Sequence, residues 1–392
     1  MKLNIITDKI VFKFLKLIKY GSLELTNFDN KKYIFGDLKE ELKVKIKINK
    51  PGFTYQIIKN GSIGLAEAYI KGDFETDNLT NLIELSAKNI KVIHKFSGFL
   101  DFPFVNSLKN IFIKNDKERS KKNISKHYDL GNEFFSLWLD PSLTYSSAIF
   151  DKKENSLESA QMNKYKKLIS LINPKPGDKI LEIGCGWGGF AEFVGKNHDI
   201  KMDCITISQK QFEYAKKRIF KNGLNEKIQI KLKDYRDVKE KYNSIASIEM
   251  IEAVGKNYLP SYFQTIKSNL SENGKAAIQA ITIKDDLFER YKSKQDFIQR
   301  YIFPGGFLPS KKSLYDLSFD KGLAINTYES YGFHYSNTLK LWRDEFLKKW
   351  DQISKQGFDL NFKRMWNFYL SYCEAGFKSK NIDLIQFSLQ NK

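Results

Sequence analysis

The residues with the clearest chemical purpose form one short run, Ile180-Leu181-Glu182-Ile183-Gly184-Cys185-Gly186-Trp187-Gly188-Gly189. Its apolar start reads as a buried strand that stops at Gly184. The glycines then let the backbone turn tightly before Phe190, Ala191, Phe193 and Val194 open a helix. Such a turn presents backbone N–H groups and a helix N-terminus to a polar, nucleotide-like ligand. Gly184, Gly186 and Gly189 also satisfy the G-x-G-x-x-G dinucleotide pattern. The loop by itself therefore leaves NAD and S-adenosylmethionine open, beside a plain strand–turn–helix with no ligand. Glu182 can orient the amino-acid end of a cofactor, or the turn itself. Cys185 reads as a small apolar filler and not as a redox group.

Alternating elements must position this loop. Strand-like segments at 179–183, 203–207, 228–232, 244–247 and 275–283 alternate with helical ones from Gly189 and over 209–221. That order predicts an α/β fold, a parallel sheet with helices on its faces. Ahead of it, Leu23 to Leu25, Lys32 to Phe35 and Leu42 to Ile48 read as short strands. Helical spacing follows after Tyr55 and around Leu79 to Val92, so a small mixed β/α domain is expected there. Ile10, Val11, Phe14, Leu17 and Ile18 recur at helical spacing; the stripe reads first as packing on its own domain, second as a membrane-surface helix. Residues 114–126 are charged and apolar-poor, as in a linker.

The 392 residues carry 65 Lys and Arg against 46 Asp and Glu, a net charge of +19. Nucleic acid and anionic membrane are the physical partners for such a balance, and a lysine-rich coding background is the bland alternative. No RNP signature, Cys/His finger or compelling helix-turn-helix supports nucleic acid, which leaves the membrane. Cys185, Cys204 and Cys373 have spacings that suit neither a zinc site nor a disulfide framework. No metal is expected, and a reduced cytoplasmic setting is. No apolar run is long enough to span a bilayer. Asp8, Lys9, Lys13 and Lys16 argue against a cleavable signal peptide.

Further motifs occur in order along the chain. His127-Tyr128-Asp129-Leu130-Gly131-Asn132 leads to Leu139-Asp140-Pro141-Ser142-Leu143-Thr144-Tyr145-Ser146-Ser147. Met202 to Gln211, Glu252-Ala253-Val254-Gly255, Arg300 to Gly306, and Arg364-Met365-Trp366 through Phe377 follow. Together they closely resemble the cyclopropane fatty acid synthase family of S-adenosylmethionine-dependent enzymes, from about residue 124 to the end. Gly64 to Asp73 resembles the additional N-terminal domain of bacterial members. The resemblance implies a class I methyltransferase fold, Rossmann-like, with a seven-stranded, mostly parallel sheet. It also implies a division into an accessory domain, 1–113, facing lipid or making a dimer, and a catalytic domain, 114–392.

It further implies roles for residues. Glu182, Gly184, Cys185, Gly186 and Gly188 would line the amino-acid end of S-adenosylmethionine. Thr206, Ser208 and Gln211 would meet its ribose, and Asp234 and Tyr235 its adenine, with a helix cap as the other reading of Asp234. Tyr145 and Ser146 match the loop that closes over the cofactor, and His127 is a candidate contact to head group or cofactor. Family enzymes deliver the methyl carbon to a cis double bond in a membrane lipid. An isolated alkene is a weak nucleophile with no proton to remove before attack, so alignment in a dry apolar site must drive the transfer. The carbocation that results can be stabilised by aromatic faces. Losing a proton from the new methyl group closes a cyclopropane; losing one from a neighbouring carbon leaves a methylated alkene.

In the family the base is a bound bicarbonate held by cysteine, glutamate, histidine, tyrosine and a backbone segment. On this chain the glutamate falls on Glu252, the tyrosine on Tyr335 and the backbone contact on Ile281. Ser147 stands at the cysteine position and Gln279 at the histidine position. Both can hydrogen-bond an oxyanion, so these departures bear on ring closure more than on methyl transfer. Cys373 matches a cysteine treated as catalytic in the family, although its spacing among Phe368, Tyr369, Tyr372 and Phe377 looks like packing. The expected enzyme cyclopropanates unsaturated phospholipid chains at the inner membrane face, with a homodimer left open. Branched methylation without ring closure, a non-catalytic lipid-binding homologue, and transfer to another acceptor are its rivals.

Overall fold

A computed structural model of the protein describes residues 2–92, 130–151 and 156–392. The segment 114–126 and His127 lie outside them. The chain separates into two units: Met1–Ile111 with Lys294–Phe297 and Trp350–Asn381, and Phe112–Ser293 with Ile298–Lys349 and Ile382–Lys392. A single cut after residue 113 therefore does not describe the division. The long helix Leu360–Lys378 groups with the N-terminal unit because its polar side chains are satisfied there. Arg364 donates to the Tyr69 carbonyl (2.8 Å) and pairs with Glu75 (2.7 Å), and Thr80 donates to Glu374 (3.1 Å).

In the first unit β1 (Ser22–Thr26), β2 (Lys32–Gly36), β3 (Lys43–Ile48) and β4 (Phe74–Thr76) form a sheet in the order β2-β1-β3-β4. β1 runs parallel to β3 and antiparallel to β2; β3 and β4 are antiparallel. In β3 the strict alternation of Lys43, Lys45 and Lys47 with Val44, Ile46 and Ile48 turns the lysines to solvent and the aliphatics to the core. Of the apolar stripe, Val11 in the helix Lys2–Leu15 is buried and Ile18 packs against the core of this unit, as does Phe12 beside them, while Leu17 is exposed; the stripe packs in part on its own unit.

The second unit holds β5 (Lys179–Ile183), β6 (Lys201–Thr206), β7 (Ile228–Leu232), β8 (Tyr242–Ile248), β9 (Leu270–Ile283), β10 (Leu323–Ser330) and β11 (Ile382–Asn391). Their order is β10-β11-β9-β8-β5-β6-β7. The neighbours from β9 to β7 are parallel, while β11 runs antiparallel to both β9 and β10. This is the seven-stranded, mostly parallel sheet of the class I methyltransferase fold. Alternate residues feed two apolar layers: Leu181, Ile183, Ala276 and Ile278 on one face, Ile180, Met202, Cys204 and Ala277 on the other. Helices Leu157–Ile172, Gly189–Asn197 and Gln209–Lys221 cover one face, and Leu259–Asn269 the other. Glu182, Thr206, Asp234, Glu249 and Gln279 stand at or near the carboxyl ends of β5 to β9, the edge where α/β sheets bind ligands.

Candidate active site

The glycine turn has the geometry its sequence implies. Gly184 sits at φ +84°, where a Cβ would lie 2.7 Å from Met250, and Gly188 at φ +81°, with Ala215 3.1 Å from where its Cβ would be. Only glycine enters both positions without strain. Glu182 is buried, and among the described residues its Oε2 has no hydrogen-bond partner. Burial pushes its pKa up to about 7, against a hydrogen bond with Cys204 and the field of Lys164. A buried carboxylate with an open acceptor fits the cationic amino group or the ribose hydroxyls of S-adenosylmethionine. At the end of β6 the Thr206 hydroxyl donates to Gln211 Oε1 (2.9 Å), and Ser208 caps the next helix by accepting from the Gln211 N–H (3.4 Å). These three residues form one buried polar knot. Asp234 accepts from the Arg236 N–H (2.9 Å) and pairs with its guanidinium (2.7 Å), so the capping reading describes its contacts. The Tyr235 ring packs edge-on against Tyr262. Burial holds the Cys185 thiol far above its ordinary value, consistent with an apolar filler.

Tyr145 stands inside an aromatic enclosure, its ring centroid 5.2 Å from Phe135, 5.3 Å from Trp342, 5.6 Å from Trp138 and 6.5 Å from Phe303. Trp342 in turn meets the Tyr335 ring edge-on at 6.1 Å. Beside it, the Ser146 hydroxyl accepts from Lys164 Nζ (2.7 Å). Lys164 is fully buried, and desolvation lowers its pKa to about 7.

The residues assigned to a bound base are brought together, but around a side chain that sequence reasoning missed. Ser147 N–H (2.8 Å) and Gln279 Nε2 (2.7 Å) donate to Glu249 Oε1, and Tyr335 OH donates to Glu249 Oε2 (2.6 Å). Ser147 contributes its backbone; its hydroxyl donates instead to the Ala148 carbonyl (2.9 Å). Gln279 is held by Gln386 on β11, whose Nε2 donates to Gln279 Oε1 (2.9 Å), leaving the Gln279 amide nitrogen to face Glu249. Glu252 stands three residues on, in the short helix Ile251–Val254. Its Oε1 accepts from the Ile281 N–H (2.5 Å), and its Oε2 is buried without a partner among the described residues. Burial and the neighbouring Glu249 push Glu252 up to about 8.

Glu249, Lys164 and Gln386 left little trace in the sequence. The position of Glu249 directly after an apolar strand, with a second glutamate three residues on, was the available signal for it. Cys373 is not part of this cluster. It lies on the helix Leu360–Lys378 of the first unit, where burial and nearby Asp296 hold the thiol up and unreactive.

Comparison with known proteins accords with this geometry. Residues 115–387 match the family model described as mycolic acid cyclopropane synthetase, and residues 10–95 match one described as a domain of unknown function. Tuberculostearic acid methyltransferase UfaA1 of Mycobacterium tuberculosis is 34% identical over 343 residues, covering 85% of this chain and 80% of that protein. Cyclopropane-fatty-acyl-phospholipid synthase of Escherichia coli is 33% identical over 346 residues, covering 87% and 86%. Among solved structures, the mycolic acid cyclopropane synthase CmaA1 complexed with SAH and CTAB superposes with a TM-score of 0.65 at 26% identity, covering 69% of this chain and 98% of that one. The chain belongs to the mycolic acid cyclopropane synthetase family of S-adenosylmethionine-dependent methyltransferases.

Proposed function

We propose that this methyltransferase adds one carbon to the cis double bond of an unsaturated phospholipid acyl chain and closes a cyclopropane ring. The observation that carries the reading is the enclosure of Tyr145, Trp138, Trp342, Phe135 and Tyr335 beside the strand ends. Such walls exclude water, accept an apolar chain and offer ring faces to a developing carbocation. S-adenosylmethionine, when bound, supplies an electrophilic methyl group. On the side of the chain, Glu182 and the Gly184 turn hold the amino-acid end. The Thr206–Ser208–Gln211 knot holds the ribose end, and the aromatic walls align the alkene. The relatives named for fatty-acyl substrates support the lipid assignment. The net charge of +19 supports docking on the anionic face of the cytoplasmic membrane. Among the described residues no helix is long and apolar enough to cross a membrane.

Branched methylation without ring closure is the second reading. The relative named tuberculostearic acid methyltransferase and the substitutions Ser147 and Gln279 favour it. NMR of lipids extracted after incubation with methyl-labelled S-adenosylmethionine and cis-unsaturated phospholipid vesicles separates the two. Label in upfield cyclopropane signals is the expected result. Label in a methyl group beside a retained double bond would make the enzyme a fatty acyl methyltransferase, and no label in lipid would overturn the lipid assignment.

A further inference from the structure

We propose that the Glu249 carboxylate is this enzyme's own base, standing where the family resemblance places a bound bicarbonate. The inference rests on the lipid reading above. The two oxygens of Glu249 take up the donors that would hold the anion: the Ser147 N–H, the Gln279 amide and the Tyr335 hydroxyl, at 2.6 to 2.8 Å. A bicarbonate among these groups would displace them from Glu249 and set a second negative charge against a carboxylate that protein already surrounds. The pocket as built does not fit the ion; it fits the side chain that fills it.

Two further observations agree. Glu249 has a left-handed backbone, φ +48°, a region that favours glycine and strains a side-chain-bearing residue. Strain of this kind persists where surrounding structure enforces it, commonly at reacting centres. The electrostatics also divide the work between two carboxylates. Burial raises both, but three donors and Lys164 favour the charged form of Glu249, whereas Glu252 is supported by backbone N–H groups alone and has a carboxylate neighbour that raises it further. Of the two carboxylates, Glu252 is therefore the one favoured to hold a proton and Glu249 the one favoured to hold the charge that a base needs.

The step balances with no added reactant. After methyl transfer the acyl chain carries a carbocation. Glu249 takes a proton from the new methyl group, and the electron pair of that C–H bond forms the third ring bond. Glu249 ends as the neutral acid and releases its proton to solvent when product leaves. Removal of the proton from a neighbouring chain carbon by the same carboxylate would give the methylated alkene.

The test is lipid methylation in buffer stripped of carbon dioxide, with and without added bicarbonate. Wild-type turnover is expected to be the same in both. Glu249→Gly suits the left-handed backbone and opens the pocket; turnover should fall about 100-fold in stripped buffer and recover with bicarbonate. Glu249→Gln fills the same space without basicity, so it should lose turnover and not recover. Both variants should bind S-adenosylmethionine within a few-fold of wild type by calorimetry. Wild-type turnover that requires bicarbonate would overturn the inference and leave the lipid reading standing, even if neither variant folds. Full activity of Glu249→Gly in stripped buffer would also overturn it. Failure of bicarbonate to restore that variant, with cofactor binding intact, would reduce Glu249 to a structural role. Absence of label in lipid from wild type would remove the lipid reading, and this inference with it.

Discussion

Glu252 is three residues from Glu249 and has the opposite electrostatic task. Its folded-state pKa of about 8 stands above its ordinary value of 4.5, so the folded protein binds this proton more tightly than the unfolded chain. The stability this gives is full below about pH 4.5, declines as pH rises, and is lost by about pH 8. Its size is on the order of a few kcal/mol. Glu182, raised to about 7, adds a slope of the same sign over a narrower window. Thermal melts between pH 5 and 9 should therefore show wild type losing stability toward alkaline pH, and Glu252→Gln losing less. Gln keeps an oxygen for the Ile281 N–H and never ionises. Equal slopes for the two proteins would mean that Glu252 is already ionised in the fold. For turnover, Glu249 must be charged, so its raised value places the acid limb of the rate profile above the ordinary carboxylate range.

The turn after β5 shows how an element imposes a residue type. Gly184→Ala would put a Cβ 2.7 Å from Met250 at a φ of +84°. The strain should cost about 1–2 kcal/mol. Because the turn leads directly from Glu182, cofactor affinity by calorimetry should drop by a larger factor than that strain implies. A stability loss with unchanged affinity would assign the turn to folding alone. This element was legible because an apolar run followed by clustered glycines has few other uses, and the strands at 179–183 and 228–232 and the helix 209–221 were read at their observed bounds. β10 and β11 were not read. β11 does alternate, Ile385, Phe387 and Leu389 against Gln386, Ser388 and Gln390, so its signal was present and was passed over, whereas most of β10 is exposed and carries little pattern. Yet Gln386 is buried as a partner, since it fixes the amide of Gln279 on β9. Glu249 was hidden for the same reason. Its partners Ser147 and Tyr335 lie 102 and 86 residues away, and only the folded sheet reveals that they share one carboxylate.

Charge acts through the molecule as a whole, and the salt dependence of turnover separates docking from coding background. Much of the positive charge is on exposed side chains such as Lys43, Lys45 and Lys47 of β3, and isolated surface ion pairs such as Lys31 with Asp29 contribute little to stability. The net charge of +19 is what docking on an anionic surface would draw on. Attraction to anionic lipid weakens within a Debye length, which shrinks from about 10 Å at 0.1 M salt to about 3 Å at 1 M. Turnover on vesicles rich in anionic lipid should fall roughly tenfold as salt rises through that range. Turnover on a water-soluble short-chain unsaturated phospholipid below its micellar concentration should change little, because that substrate needs no docking. A parallel loss on both substrates would point to salt acting on the buried carboxylates and Lys164. Salt-independent turnover on both would leave the lysines without a role in reaching the substrate.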